Sequence, residues 1–185
     1  MNTAKLHKLS YLFFLLFALL FLSCNTEESP KSSLIIKDKL LYKSGSDIPF
    51  TGREKALVEN KIIEYDVKDG LRHGEFRIFS EDGILIMEGQ VDSNRNVGNW
   101  KYFFPDGQLE SEGYFVNDVP EGKWVWYYPG KLIKEQGNYE KGLRVGIWYQ
   151  YGINGNIIYE KNFSLEDSVS AFEDSSPSKR LQLPF

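Results

Sequence analysis

The chain has 185 residues, 42% of them hydrophobic and 26% charged, which suits one globular domain with a core of its own. Thirteen Phe, eleven Tyr and four Trp favour strands over helices, because flat rings pack on a pleated surface. A net charge of -4 with no block of five like charges excludes an electrostatic footprint for nucleic acid or for anionic lipid.

From the N-terminus, Lys5 and Lys8 precede an apolar run from Leu9 to Leu22, and Ser23-Cys24 follows. That run is about 14 residues, short of the roughly 20 that a membrane-spanning helix needs, so a cleaved signal over residues 1–23 is expected rather than a transmembrane anchor. Phe21-Leu22-Ser23-Cys24 resembles a bacterial lipobox, with Phe21 where Leu is commoner. The resemblance implies a diacylglycerol on the Cys24 thiol, palmitate-type acyl chains and cleavage that leaves Cys24 as the new N-terminus. Cys24 is the only cysteine, so an intramolecular disulfide is impossible and lipidation accounts for a thiol in an oxidising compartment. The competing reading is an ordinary secretory signal with an incidental cysteine. Residues 24–33 read as a polar tether. Asn25-Thr26-Glu27-Glu28 resembles the acidic surface-export signal of Bacteroidetes lipoproteins, which makes surface exposure on the outer membrane an expectation.

Residues 34–163 read as a repeat domain. Gly74, Gly98, Gly122 and Gly146 recur every 24 residues, each followed two positions on by Phe76, Trp100, Trp124 and Trp148. Turn-like pairs come next at Asp82-Gly83, Asp106-Gly107, Gly130-Lys131 and Asn154-Gly155. Then come Leu85, Leu109, Ile133 and Ile157, followed by Glu88, Glu112, Gln136 and Glu160. A second glycine column holds Gly89, Gly113 and Gly137, and Lys161 breaks it in the last copy.

Asp-Gly or Asn-Gly between strand-like runs predicts a type I′ hairpin with positive φ at both central residues, so each repeat is expected to be one hairpin. A two-residue loop at Asp106-Gly107 would pair Pro105 with Gln108 and put Trp100 opposite Gly113. If Val91 pairs with Gly98, Trp100 also lies opposite Gly89, and Trp124 stands between Gly113 and Gly137. A bare backbone then makes room for a large ring. Alternation assigns Trp100, Tyr102, Phe104, Leu109 and Phe115 to one apolar face, extended by Trp124, Trp126, Tyr128, Ile133 and Tyr139. Lys101, Phe103, Glu110, Glu112, Lys134 and Gln136 fall on the other, where cross-strand charge pairs contribute a few tenths of a kcal/mol each.

Upstream, Tyr65, Val67 and Gly70 continue the columns, Phe50-Thr51-Gly52 and Leu57 to Lys61 form a degenerate copy, and Leu34–Ile36 with Leu40–Tyr42 suggest a first hairpin through Asp38. Residues 164–185 read as a polar tail, poorly ordered beyond Asp174, with one short helix over 164–172. The glycine-aromatic columns and turns resemble the variant MORN repeat of bacterial YwqK-type proteins, and Pro49-Phe50-Thr51-Gly52 resembles that family's entry motif. The resemblance spans Leu40 to Phe163. It implies an all-β, elongated, twisted single antiparallel sheet of tandem hairpins. Relatives are often named antitoxins, and eukaryotic MORN arrays are linked to membrane attachment and scaffolding.

Catalytic chemistry is not expected. The two histidines are His7, in the signal, and His73, in a turn, so a nucleophile–base pair lacks its base. No metal-ligand spacing appears, no cofactor motif is found, and each glycine opens or interrupts a strand rather than leading a helix as a phosphate loop would. Glu110 and Glu112 are near enough for a carboxylate pair, but as positions of a repeat they serve the repeat. Strands of about seven residues are too short for an outer-membrane barrel. The rings are expected mainly to bury one another. Tyr102, Trp126 and Tyr128, with no glycine opposite, are the candidate binding face for a protein segment or glycan. The expectation is a non-enzymatic, membrane-anchored binding or scaffold module of the cell envelope; an antitoxin or immunity protein sequestering a toxin is the alternative.

Overall fold

The computed structural model describes residues 32–164; the signal, Cys24, most of the tether and the expected tail helix lie outside the described residues. Twelve strands account for the ordered elements. They are β1 (Leu34–Lys37), β2 (Leu40–Lys43), β3 (Gly52–Val58), β4 (Lys61–Lys68), β5 (Leu71–Ser80), β6 (Leu85–Asp92), β7 (Arg95–Phe103), β8 (Leu109–Val116), β9 (Val119–Tyr127), β10 (Ile133–Glu140), β11 (Leu143–Tyr151) and β12 (Ile157–Phe163). β1 and β2 form a separate hairpin, while β3 to β12 make one ten-stranded antiparallel sheet in sequence order. The sheet is open, with β3 and β12 as its edges.

From β5 onward two kinds of turn alternate along it, and most depart from the expected assignment. Asp106 keeps negative φ and only Gly107 is positive; Phe104 N–H donates to the Gln108 carbonyl and Gly107 N–H to that of Phe104. Pro105-Asp106-Gly107 is therefore a three-residue loop, a type I turn closed by a left-handed glycine. Pro105 presets the φ that the first central position of a type I turn needs, and the same loop forms without a proline at Glu81-Asp82-Gly83. Two-residue turns with positive φ at both positions lie between repeats, at Asp69-Gly70, Ser93-Asn94, Asn117-Asp118 and Lys141-Gly142, and also inside the β3–β4 hairpin at Glu59-Asn60; within the repeats, Gly130-Lys131 is the expected pair that is positive at both. Those between repeats bond back to the preceding repeat: Asn94 N–H to Arg72 O (3.0 Å), Asp118 N–H to Asn96 O (2.9 Å) and Gly142 N–H to Pro120 O (3.0 Å).

The expected Trp100–Gly113 pairing nonetheless holds, because two departures cancel. The longer loop pairs Phe103 with Leu109, and a bulge that leaves Glu110 unpaired restores Tyr102 opposite Ser111 and Trp100 opposite Gly113. Leu109 and Ile133 pair with Phe103 and Tyr127, which sets them on the face opposite Trp100, not on the aromatic face as alternation had implied.

A second set of bulges falls at every junction between repeats. Val91 pairs with Asn96, not Gly98; Glu88 pairs with Lys101, and between these points Gly98 takes φ +70°. Gly74, Gly122 and Gly146 have the same left-handed backbone, so this glycine column exists for the bulge. Gly89, Gly113 and Gly137 do not. A Cβ there would lie 2.2, 2.0 and 2.1 Å from the indoles of Trp100, Trp124 and Trp148 respectively. Each indole thus covers the glycine of the preceding repeat, rather than sitting evenly between two. Its N–H donates to the carbonyl one residue on, Trp100 to Gln90, Trp124 to Tyr114 and Trp148 to Asn138, at 3.2–3.3 Å.

The core is this row. Trp100 (0% exposed), Phe76, Ile78, Val91, Phe115 and Trp124 are buried together on one side of the sheet. At the N-terminal end β1–β2 docks by Leu41 N–H on Gly70 O, and the buried Glu54 carboxylate accepts from Ser32 Oγ and Ser33 N–H at 3.0 and 3.2 Å. At the other end the Arg144 guanidinium lies 4.0 Å from the Trp148 ring centroid and pairs with Glu135 at 2.9 Å.

The two glycine columns therefore respond differently to substitution. Gly113→Ala, which drives a Cβ into the Trp124 ring, should cost about 3 kcal/mol, while Gly122→Ala, with open space but a left-handed backbone, should cost about 1 kcal/mol. Chemical denaturation of the two variants checks the order; equal losses would contradict the indole-on-glycine packing.

Candidate functional site: the aromatic face

The rings form a continuous line across the sheet. Centroids are 6.2 Å apart for Tyr65–Phe76, 5.9 Å for Phe76–Trp100, 6.5 Å for Trp100–Tyr102 and for Tyr102–Trp124, 5.7 Å for Trp124–Trp126 and 5.8 Å for Trp126–Trp148. Phe115 and Tyr139 stand edge-on between successive indoles, at 5.0–6.1 Å. Offset and edge contacts of this kind each contribute about 0.5–1.5 kcal/mol beyond burial.

The three candidate residues sit differently on this line. Tyr102 and Trp126 are half-buried and pack on the core cluster; their cross-strand partners are Ser111 for both, with Met87 and Glu135 beyond, so no glycine faces them. The Tyr102 hydroxyl has no hydrogen-bond partner and no solvent exposure, and burial pushes its pKa up to about 12. Tyr128 is further along, past the end of β9. Its hydroxyl donates to Tyr151 O at 3.0 Å, with Lys134 Nζ 5.9 Å from the ring centroid. Tyr102 and Trp126 therefore share one surface, and Tyr128 belongs to the neighbouring loop end.

The opposite face carries a row that sequence columns show only in part. Cross-strand partners run Lys55, Glu64, Arg77, Glu88, Lys101, Glu112, Val125, Gln136, Tyr149 and Glu160, one from each strand of the sheet. Signs alternate over the first six, with Lys55 Nζ 3.0 Å from Glu64. Where the charges stop, tyrosines take over: Tyr127 Oη donates to Glu112 at 2.8 Å, and Gln136 Nε2 donates to Tyr151 Oη at 2.6 Å. Burial first, then the Glu112 carboxylate, raises the Tyr127 pKa to about 12. The Arg77/Lys101 and Glu88/Glu112 columns were the readable signal; Lys55 and Glu64 precede the regular repeats.

Nothing resembling a reaction centre is assembled among the described residues. A shallow polar depression of about 200 Å³ lies over Glu75, Arg77, Glu88, Gln90, Asn99 and Lys101 on the charged face. His73 is exposed, with Nδ1 3.0 Å from Asp92, whose pKa is lowered chiefly by that contact. No group of three or more His, Cys, Asp or Glu there is placed to hold a metal ion. No described helix is long and apolar enough to cross a membrane.

With this geometry in view, comparison with known proteins adds one family. Residues 72–92 and 96–117 match the MORN repeat variant. Those two stretches are the β5–β6 and β7–β8 hairpins, where the glycine and aromatic columns are most regular. These two hairpins are thus similar to the variant MORN repeat. No curated protein matches the chain. Among solved structures, the crystal structure of TarM is similar at 17% identity with a TM-score of 0.35, over 62% of this chain and 23% of that one. The chain thus spans about a quarter of that protein, and a likeness this weak carries no functional meaning.

The buried tyrosines set a pH limit. A phenol whose folded pKa stands above the ordinary value of 10 contributes stability that is complete below pH 10 and is lost as pH rises through about 12. Absorbance at 295 nm should show Tyr102 and Tyr127 ionising only near pH 12, together with unfolding. Tyr102→Phe should stabilise the fold by about 1 kcal/mol, since it removes a buried hydroxyl that bonds to nothing. A destabilised Phe variant would show that the hydroxyl has a partner after all.

Proposed function

We propose that the chain is a non-enzymatic, lipid-anchored repeat protein that binds or scaffolds a partner in the bacterial cell envelope. The partner, a protein segment or a glycan, would be taken on the aromatic face. What carries the reading is that this face belongs to a single-layer sheet. Rings are stacked across it, yet Tyr102 and Trp126 stay only half-buried, as does Tyr128 at the neighbouring loop end, and no second layer covers them among the described residues. Half-covered aromatic rings on a rigid sheet offer large contact area at small entropic cost, which is how such rings serve as anchors in interfaces. A repeat protein uses an extended surface in place of a pocket.

The anchor rests on the signal and on Cys24. Lipid at Cys24 would hold the protein at the membrane, each buried methylene contributing about 0.8 kcal/mol, while the tether lets the sheet reach its partner. The rival role, sequestering a toxin, rests on the family resemblance. A toxin-like reading frame beside this one would favour it, and its absence favours the scaffold.

Two measurements test the reading. Pull-down of the lipidated protein from envelope extracts should recover partners that a Trp126→Ala, Tyr128→Ala variant loses; recovery of the same set by both would sink the aromatic face as the binding surface. Metabolic labelling with palmitate should mark the native chain and be absent from Cys24→Ser. Retained label would move the acyl group elsewhere.

A further inference from the structure

The two edges of the sheet match each other, and we propose that copies of this chain join head to tail, β12 of one copy adding to β3 of the next. The occupant of the open edge is a second copy, and this is independent of whether a partner lies on the aromatic face.

Geometry permits the junction. β3 and β12 are seven residues each and run in opposite directions, being separated by nine antiparallel steps. A next copy placed in the same orientation therefore presents β3 antiparallel to β12, and the sheet continues without a flip. β12 is exposed on both faces, with Ile157 54%, Ile158 65% and Tyr159 51% exposed. An uncovered apolar edge strand is a template for pairing.

The repeat dictates the register. At junctions inside the chain, Glu64 stands opposite Arg77 and Glu88 opposite Lys101. Continuing that row past β12 sets Glu160 opposite Lys55 of the next copy, which already has Glu64 on its other side. On the side of that pair away from the junction bulge the register runs on without a shift: Tyr159 meets Ala56, Ile158 meets Leu57 and Ile157 meets Val58. Apolar residues meet apolar ones along this half of the strand, beside one ionic pair of opposite sign. Internal junctions need a glycine where the next indole will lie; here no indole follows, and Lys161 takes the place of that glycine. The contact is heterologous, so association propagates into open chains rather than closing as a dimer.

The test uses the full chain carrying Cys24→Ser, so that the native thiol takes no part, with Leu57→Cys and Ile158→Cys added, and in a second variant Val58→Cys and Ile157→Cys. One of two neighbouring pairs is always the closely spaced kind that a disulfide can bridge. Within one copy these cysteines lie nine strand spacings apart, about 43 Å, beyond any intramolecular bond. Mild oxidation should give a ladder of dimers, trimers and higher species on non-reducing gels. Variants with either cysteine alone should give no ladder, and an out-of-register pair, Leu57→Cys with Phe163→Cys, should stay monomeric. Glu160→Arg, opposite only Tyr149 within the chain, should abolish the ladder while circular dichroism stays that of the parent. A monomer in both double-cysteine variants, equal ladders in and out of register, or dimers from Ile158→Cys alone would each overturn the proposal.

Discussion

An indole lying on bare backbone is the contact from which the rest of this protein follows. Three circumstances must coincide for it: a glycine on one strand with no side chain in the way, a left-handed glycine on the next that bulges the strand, and a tryptophan two residues on. The bulge breaks the ladder and leaves a carbonyl that the indole N–H then takes. Steric room, backbone geometry and polar satisfaction are thus met by one residue set, which is why the columns recur without slippage. The exceptions obey the same rule. Lys161 replaces glycine on the last strand, where no further indole arrives, and Tyr65 replaces it where the following ring is the smaller Phe76, against which it stacks.

Because each ring is buried mainly by neighbouring rings and by the sheet beneath, this fold needs no second layer to form a core. The consequence is a molecule of surfaces. One face is a line of stacked aromatics closed at one end by the first hairpin and at the other by the Arg144 guanidinium over Trp148. The other is a row of alternating charge that gives way to tyrosine hydroxyls. The geometry offers shape and contact area spread over several repeats in place of a pocket with convergent groups. The same openness leaves two strand edges whose side chains complement each other.

Much of this was legible in the residues, and for local reasons. A 24-residue period and the strand assignment follow from spacing and from the two-residue alternation of a strand, while the pairing of Trp100 with Gly113 came out as expected because the longer loop and the bulge cancel. The turn type was not legible from the Asp-Gly pair, since the same three-residue loop forms after Pro105 and after Glu81. Leu109 and Ile133 were misplaced because the bulge that shifts them leaves no mark in the pattern of apolar residues. Among the candidate contacts, Tyr102 and Trp126 could be put on the aromatic side from alternation alone. That the Tyr102 hydroxyl is shut away without a partner depends on what surrounds it.

By itself the sequence determined the repeat unit, its all-β character and which ring and glycine columns lie against each other, since these depend on residues close together along the chain or one hairpin apart. Only the tertiary structure decided which of the two neighbouring glycines each indole covers, where the ladder bulges, and that the sheet stays open. Those outcomes depend on backbone angles that must suit both neighbouring strands at once, a condition set by the whole sheet and by no single segment of it.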